Sequence, residues 1–116
     1  MSRNYLSRND ELRRGDYLMS NNQSWKAIFQ DDGNFVVYGW KPVWASDTSG
    51  SDASRLCMQS DCNLVMYNQD ATPRWNTGTC RSPPKMCRLL LTDDGKLEVY
   101  QEGKLVWSSE ISKGAK

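Results

Sequence analysis

Histidine is absent from the sequence, and long apolar runs are absent with it. A chain without histidine lacks the commonest general base and the commonest neutral metal ligand, which excludes every histidine-containing catalytic triad. The longest apolar runs, such as 35–38 and 89–91, span only a few residues. A membrane-spanning helix needs roughly 20 apolar residues, so we expect no membrane insertion. These absences favour a binding protein over an enzyme.

The sequence also has almost no net charge. The sequence has 15 Lys and Arg residues against 14 Asp and Glu residues, which leaves a formal charge of +1. Nucleic-acid-binding domains need a basic surface and polybasic membrane anchors need clustered Lys and Arg, so this balance argues against both kinds of partner. The length of 116 residues suits one domain, and we predict a single domain over 1–116.

Four cysteines lie in the middle of the chain: Cys57, Cys62, Cys80 and Cys87. Their spacings, C-x4-C and C-x6-C, differ from the C-x2-C pairs of zinc sites, so we expect no metal. An even number of cysteines favours two disulfides, which are typical of extracellular proteins. The alternative is four buried thiols in a cytosolic protein.

One segment recurs three times, about every 30 residues. The copies run over 29–38, 58–67 and 91–100, with the sequences FQDDGNFVVY, MQSDCNLVMY and LTDDGKLEVY. A short segment with one tryptophan follows each copy, and these tryptophans are Trp44, Trp75 and Trp107. Recurrence at a fixed period indicates a repeat architecture in which each copy forms one structural unit.

Each copy has the pattern of a β-hairpin. Asp-Gly between apolar runs is typical of a hairpin turn, and the alternation that follows is typical of a half-buried strand. A further hairpin is predicted at 14–16, and no window shows a helical period. We predict an all-β fold of about twelve short strands in three small sheets. Such sheets bury their apolar faces only by packing around a shared core.

The tryptophans divide into two groups. Trp44, Trp75 and Trp107 recur once per repeat, so we expect them to meet in the core near a pseudo-three-fold axis. Trp25 and Trp40 lie outside the repeat. For these two, core packing and stacking against a sugar remain equal alternatives.

The strand after each turn presents a polar face, because alternate residues point to the same side. In the first two copies this face combines a carboxylate, two amides, a phenol and an apolar patch. The residues are Gln30, Asp32, Asn34, Val36 and Tyr38, and Gln59, Asp61, Asn63, Val65 and Tyr67. These groups donate and accept hydrogen bonds as a polyol ligand requires. The alternative is a solvated face with turn-forming Asp and Asn.

The pattern Gln-x-Asp-x-Asn-x-Val-x-Tyr resembles the mannose-binding signature of the lily-type, or monocot mannose-binding (bulb-type), lectins. It is complete at 30–38 and at 59–67. The resemblance covers nearly the whole chain, which looks most like the fish members found in skin and gut mucus. It implies a β-prism II fold: three four-stranded antiparallel sheets around a pseudo-three-fold axis. It also implies metal-independent recognition of α-D-mannose and mannose-rich glycans without a cofactor.

The resemblance also implies a role for each motif residue. Asp32 and Asn34 would hold the axial 2-hydroxyl of mannose. Gln30 would bind the 3-hydroxyl, Tyr38 the 4-hydroxyl, and Val36 would contact the ring carbons. The corresponding residues of 59–67 would do the same in a second site. A sugar with an equatorial 2-hydroxyl would leave polar partners unpaired, so the site would discriminate against it.

The third copy departs from the signature. Thr92, Lys96 and Glu98 replace its Gln, Asn and Val, and only Asp94 and Tyr100 remain. We expect Lys96 to pair with Glu98 and with Asp94, so that the side chains fill the shallow pocket. The third site is therefore predicted not to bind mannose.

The family pattern bears on covalent links and assembly as well. It implies a disulfide Cys62–Cys87, and elimination leaves Cys57–Cys80 as the second predicted bridge. It also implies a homodimer in which the strand at 104–111 is exchanged between chains, while the polar tail 112–116 is predicted to be mobile. A monomer is the alternative.

These expectations combine into a predicted secreted lectin of mucosal innate immunity that binds microbial or parasite glycans. No signal peptide is recognisable in this sequence, so a cytoplasmic location is left open. We predict no enzymatic activity, because the adjacent carboxylates at 31–32 and 93–94 point to opposite faces and cannot flank a glycosidic bond. A protein–protein interaction module on the same fold is the alternative function.

Overall fold

A computed structural model describes residues 3–82 and 86–116, which form an all-β fold. The predicted domain 1–116 also includes residues 1, 2 and 83–85, which lie outside the described residues. The strands are β1 (Tyr5–Ser7), β2 (Glu11–Arg13), β3 (Tyr17–Met19), β4 (Lys26–Phe29), β5 (Phe35–Tyr38), β6 (Pro42–Ala45), β7 (Arg55–Met58), β8 (Leu64–Tyr67), β9 (Pro73–Asn76), β10 (Cys87–Leu91), β11 (Leu97–Gln101) and β12 (Lys104–Ser108). Within the described ranges, no helix has the length and apolar character needed to cross a membrane.

The described strands form three four-stranded antiparallel sheets. Their orders are β3-β4-β5-β6, β2-β7-β8-β9 and β1-β10-β11-β12. Each sequence repeat supplies three consecutive strands of one sheet, which explains the period of about 30 residues. The predicted three-sheet arrangement is therefore confirmed.

The N-terminal segment gives one strand to each sheet, so the hairpin predicted at 14–16 is wrong. That turn joins β2 to β3, but β2 pairs with β7 and β3 pairs with β4. Each of the three short strands has a central buried leucine, and these are Leu6, Leu12 and Leu18. Their regular spacing is the sequence signal for this path, because each leucine enters the shared core from a different sheet.

Three tryptophans meet in the core, as the repeat predicts. Trp44, Trp75 and Trp107 contact one another edge to face, with ring centroids 6.0 to 6.2 Å apart. Each side chain is at most 9% exposed. Edge-to-face pairs contribute about 0.5–1.5 kcal/mol beyond the burial of their area, so the triad links the three sheets.

The C-terminal tail caps this triad, so the prediction of a mobile tail is wrong. The indole N–H groups of all three tryptophans donate hydrogen bonds to atoms of the tail. The bonds are Trp44 to Ser112 O at 3.0 Å, Trp75 to Lys113 O at 2.7 Å and Trp107 to Ser112 Oγ at 2.9 Å. Ala115 then forms a two-bond bridge with Asn76, at 2.8 and 2.9 Å. Buried indole donors need acceptors, and the tail supplies them.

Trp25 packs between two sheets, so of its two alternatives, packing and stacking against a sugar, the structure shows packing. Its ring lies so close to Gly39 and Gly95 that a Cβ at either glycine would stand 2.5 to 2.6 Å from it. Its Nε1 donates to Asp93 O at 3.0 Å. Trp25 therefore joins the first and third sheets. The side chain of Trp40, in contrast, is fully exposed.

The structure contains one of the two predicted disulfides. Cys62 and Cys87 are bonded, with their Cα atoms 5.6 Å apart, and this bridge ties the second hairpin to β10. The predicted Cys57–Cys80 bridge is wrong, because both residues are free thiols. Cys57 lies half-buried on β7, whereas Cys80 is exposed and donates to Asp61 Oδ2 at 3.4 Å. Elimination failed because it assumed that every cysteine is paired.

Candidate functional site

A tight turn after β4 forms the first motif. Gln30 N–H donates to Asn34 O at 2.8 Å, and Gly33 N–H donates to Gln30 O at 3.0 Å. Gly33 has a φ of 84°, and a Cβ there would stand 2.8 Å from Ser51 O. The second hairpin repeats the turn with Cys62 at a φ of 73°. The disulfide of Cys62 lies at this left-handed position, which ordinarily favours glycine.

The aspartate of each complete motif is held in one orientation. Asp32 Oδ1 accepts the Asn34 N–H at 3.0 Å, and Asp32 Oδ2 accepts the Ser49 hydroxyl at 2.9 Å. In the second motif, Asp61 Oδ1 accepts the Asn63 N–H at 2.9 Å. A carboxylate oxygen accepts more than one hydrogen bond, so both aspartates keep acceptor capacity for a ligand.

The asparagine of each motif is oriented in the same way. Asn34 Oδ1 accepts the Ser46 hydroxyl and the Thr48 N–H, both at 3.1 Å. Asn63 Oδ1 accepts the two equivalent bonds in the second motif, at 3.3 and 3.1 Å. Within the described residues neither amide nitrogen has a hydrogen-bond partner, and neither is a buried unsatisfied atom. Each Nδ2 group is therefore an open donor beside its carboxylate.

The glutamine and tyrosine of each motif form a pair. Gln30 Nε2 donates to Tyr38 OH at 2.5 Å, and Gln59 Nε2 donates to Tyr67 OH. This bond leaves the tyrosine proton and the glutamine carbonyl oxygen available to a ligand. Val36, on the same outer face, is only 4% exposed yet lies outside the main core cluster. Each motif thus surrounds an apolar patch with polar groups.

The second motif opens into a cavity of about 590 Å³. Gln59, Asp61 and Tyr67 line this cavity together with Asp10 and Glu11, which lie where β1 leads into β2. The guanidinium of Arg55 lies 5.0 Å from the ring centroid of Tyr67 and also lines this cavity.

The third motif is closed by its own side chains. Lys96 Nζ lies 3.4 Å from Asp94 Oδ2 and 3.1 Å from Glu110 Oε2. Tyr100 OH donates to Glu98 Oε1 at 2.8 Å. The predicted Lys96–Glu98 pair is wrong, because the hydroxyl of Tyr100 occupies Glu98 and the lysine reaches Glu110 instead.

The charges of this third motif stabilise one another. The hydrogen bond from Lys96 to Glu110 raises the pKa of the lysine, and the bond from Thr92 lowers the pKa of Asp94. The bond to Glu98 raises the pKa of Tyr100. The groups that face outward in the first two motifs are therefore satisfied internally in the third.

The structure places the predicted motif residues in the hairpin turns and on the strands that follow them, and it adds residues that sequence reasoning missed. Ser46, Thr48 and Ser49 hold the first motif from the segment after β6. The pattern Thr-x-Thr-Cys at 77–80 follows the second tryptophan in the same way. This recurrence was available in the sequence. Among the described residues, no group of three or more His, Cys, Asp or Glu could hold a metal ion.

Comparison with known proteins places the whole chain among lectins. No family model matches the chain. It is 61% identical over 113 residues to the B-type lectin plumieribetin of Scorpaena plumieri, covering 97% of this chain and 100% of that protein.

Solved structures of lectins also match the fold of this chain. The fold matches monomeric monocot mannose-binding lectins from Gastrodia elata with a TM-score of 0.82 at 31% identity, covering 94% of this chain and 98% of that one. It also matches the mannose-specific agglutinin from snowdrop, Galanthus nivalis, complexed with methyl-α-D-mannoside. The TM-score is 0.77 at 32% identity, and the match covers 94% of this chain and 97% of that one.

The three-sheet prism and its repeated polar faces, together with these matches, define a carbohydrate-binding protein of the β-prism II class. The chain belongs to the B-type lectins, the lily-type or bulb-type family that its sequence resembles. This family is non-enzymatic, so the chain is a lectin and not a glycoside hydrolase.

Proposed function

We propose that the chain binds α-D-mannose and mannose-containing glycans at two sites, formed by 30–38 and 59–67, without a metal ion. The observation that carries the proposal is the open amide donor beside a fixed carboxylate in each complete motif. A sugar hydroxyl can donate to the carboxylate and accept from the amide at the same time. The mannoside in the snowdrop agglutinin structure supports the choice of sugar.

In the first site, the axial 2-hydroxyl of mannose lies between Asp32 and Asn34. The paired side chains of Gln30 and Tyr38 bind the 3- and 4-hydroxyls, and Val36 contacts the ring carbons. Bonds to the charged carboxylate are the strongest of this set. A sugar with an equatorial 2-hydroxyl leaves both groups unpaired, and that penalty is the source of specificity.

A metal ion is not required by this chemistry. Each motif contributes a single fixed carboxylate, whereas calcium takes six to eight oxygen ligands. The sugar is held instead by direct bonds to side chains.

The second site accepts more than one sugar. Its cavity of about 590 Å³ is also lined by Asp10 and Glu11, whose carboxylates can accept further hydroxyl protons. A shallow site for one monosaccharide binds weakly, so affinity for a glycan comes from such added contacts and from several sites acting together. The third motif does not bind, because Lys96 occupies its carboxylate.

The biological part of the proposal is defence in mucus, by binding microbial or parasite glycans outside the cell. The disulfide Cys62–Cys87 supports an oxidising compartment. The homodimer with exchange of 104–111 also stays a prediction, with the monomer as its alternative. In the structure β12 pairs with β11 of the same chain, and the tail caps the tryptophans of the same chain, so exchange must transfer both sets of contacts.

A glycan array with and without EDTA tests the proposal. We expect binding to mannose-terminated structures, none to galactose- or glucose-terminated ones, and no change in EDTA. Binding that EDTA abolishes and calcium restores would contradict the metal-free site. An array without any mannose-dependent binding would instead favour the protein–protein interaction module.

A further inference from the structure

The two complete motifs differ in the residue that holds the outer oxygen of the aspartate. In the first, the Ser49 hydroxyl donates to Asp32 Oδ2 at 2.9 Å. In the second, the Cys80 thiol donates to Asp61 Oδ2 at 3.4 Å. Both residues stand five positions after the tryptophan of their repeat, so they occupy equivalent places.

We propose that Cys80 is a positioning residue for the second mannose site, and that its thiol makes this site alone sensitive to alkaline pH and to thiol alkylation. The inference rests on the proposed mannose binding of both motifs. Cys80 acts through Asp61, because the thiol and the Asn63 N–H together hold the two oxygens of that carboxylate. Without the thiol proton, only one of these oxygens keeps its partner.

The protonation of Cys80 supports this role. The hydrogen bond to Asp61 raises the pKa of the Cys80 thiol, so the thiol keeps its proton at neutral pH and can donate. Among the described residues, the other charged group near the thiol is Arg81, which lowers this pKa. Above its pKa, the thiolate loses its donor and repels the carboxylate of Asp61.

Alkylation through the thiolate fraction removes the same donor permanently, so its effect on binding is measured afterwards at neutral pH. The sulfur of Cys80 attacks the methylene carbon of iodoacetamide, a carbon–sulfur bond forms, iodide leaves and the thiol proton passes to solvent. Cys80 is exposed and reachable. The other free thiol, Cys57, is half-buried and lines the cavity of the same site, so the experiment must distinguish the two.

The test measures each site separately. Asp32→Ala leaves the second site, Asp61→Ala leaves the first, and methyl-α-D-mannoside is titrated calorimetrically from about pH 7 to about pH 9.5. We expect the affinity of the second site to fall at alkaline pH by about 3- to 10-fold more than that of the first.

Cys80 variants in the Asp32→Ala background then identify the group responsible. Cys80→Ser restores a hydroxyl donor, so we expect affinity at pH 7 at least equal to the parent, the alkaline response of the first site and resistance to iodoacetamide. Cys80→Ala should bind about 3- to 10-fold more weakly at pH 7. Near-ultraviolet circular dichroism confirms folding at each pH.

Two results would overturn the inference. One is a Cys80→Ala variant with parental affinity at pH 7. The other is a Cys80→Ser variant that keeps the parental alkaline loss or remains sensitive to iodoacetamide, which would assign the effect to Cys57. If neither site binds the mannoside in any background, the proposed function itself fails, and that outcome is distinct from both.

Discussion

Within each complete motif, bonds from the same repeat hold the carboxylate and the asparagine and leave their ligand-facing atoms open. Asn34 Oδ1 accepts two bonds, and its amide nitrogen has no hydrogen-bond partner in the described part of the chain. In the third motif Lys96 occupies the corresponding position and pairs with Asp94. Three substitutions thus separate an open polar face from a closed one.

Removing the hydroxyl of Tyr38 should weaken the first site. Tyr38→Phe takes away one ligand donor and leaves the Gln30 amide without its acceptor. In the Asp61→Ala background we expect about a 5- to 10-fold lower affinity for methyl-α-D-mannoside by calorimetry. Tyr100→Phe is the matched control in the third motif and should leave affinity unchanged. Equal losses in the two variants would count against the assignment.

Restoring the signature should create a third site. The triple variant Thr92→Gln, Lys96→Asn and Glu98→Val removes the lysine from Asp94 and the carboxylate from Tyr100. We expect the number of mannosides bound per chain to rise from about two to about three by calorimetry. A folded triple variant with unchanged stoichiometry would show that internal pairing is not what closes the motif.

The hairpin is the element that brings the residues of the polar motif together. Its turn brings Gln30 and Asn34 into a backbone pair, so the motif residues before and after the turn share one face. β5 then buries Phe35 and Val37 in the core and directs Val36 outward. The strand that carries the second half of the motif is therefore anchored in the core.

Gly33→Ala should damage both the hairpin and the first site. The new Cβ would meet Ser51 O at 2.8 Å at a φ of 84°, so the turn must shift. Gly50→Ala is a matched control, because Gly50 has a φ of 82° but nothing within 4 Å of the new Cβ. In both variants the left-handed backbone lowers the free energy of unfolding by about 1–2 kcal/mol. Gly33→Ala should lose more stability than Gly50→Ala in urea unfolding, and it should also bind the mannoside more weakly. Indistinguishable unfolding curves would contradict this.

At the scale of the whole molecule, three sheets share one core, and one chain end closes it. The tryptophans of the three repeats contact one another, and their indole donors bond to the tail. Gly114 approaches the ring of Trp75 so closely that a Cβ there would stand 2.4 Å from it. The tail thus covers the tryptophan triad of the core.

Deleting residues 112–116 should destabilise the fold. Three indole donors lose their acceptors, at about 1 kcal/mol each, so we expect a loss of about 2–4 kcal/mol in urea unfolding. Tryptophan fluorescence should shift to longer wavelength as water reaches the triad. Deleting only Lys116, which lies beyond the bridge to Asn76, is the control. A truncated protein as stable as this control would show that the tail contributes little.

Local sequence patterns predicted the features of the fold that depend on neighbouring residues. The alternation at 34–38 predicted the buried Phe35 and Val37, and the period predicted the tryptophan triad. Contacts between distant segments are marked only indirectly, by the regular spacing of leucines in the N-terminal strands. β1 pairs with β10 across most of the chain, and Trp44 bonds to Ser112, 68 residues away. Cys80 was assigned to a disulfide because elimination assumed that every cysteine is paired, whereas its free thiol donates to Asp61.

Calorimetric stoichiometry tests the central claim, two mannose sites per chain, most directly. We expect about two molecules of methyl-α-D-mannoside per chain, about one in either Asp32→Ala or Asp61→Ala, and none in the double variant. Asp94→Ala, which removes the equivalent carboxylate of the third motif, should leave about two. Residual binding in the folded double variant, or loss of a site in Asp94→Ala, would contradict the assignment.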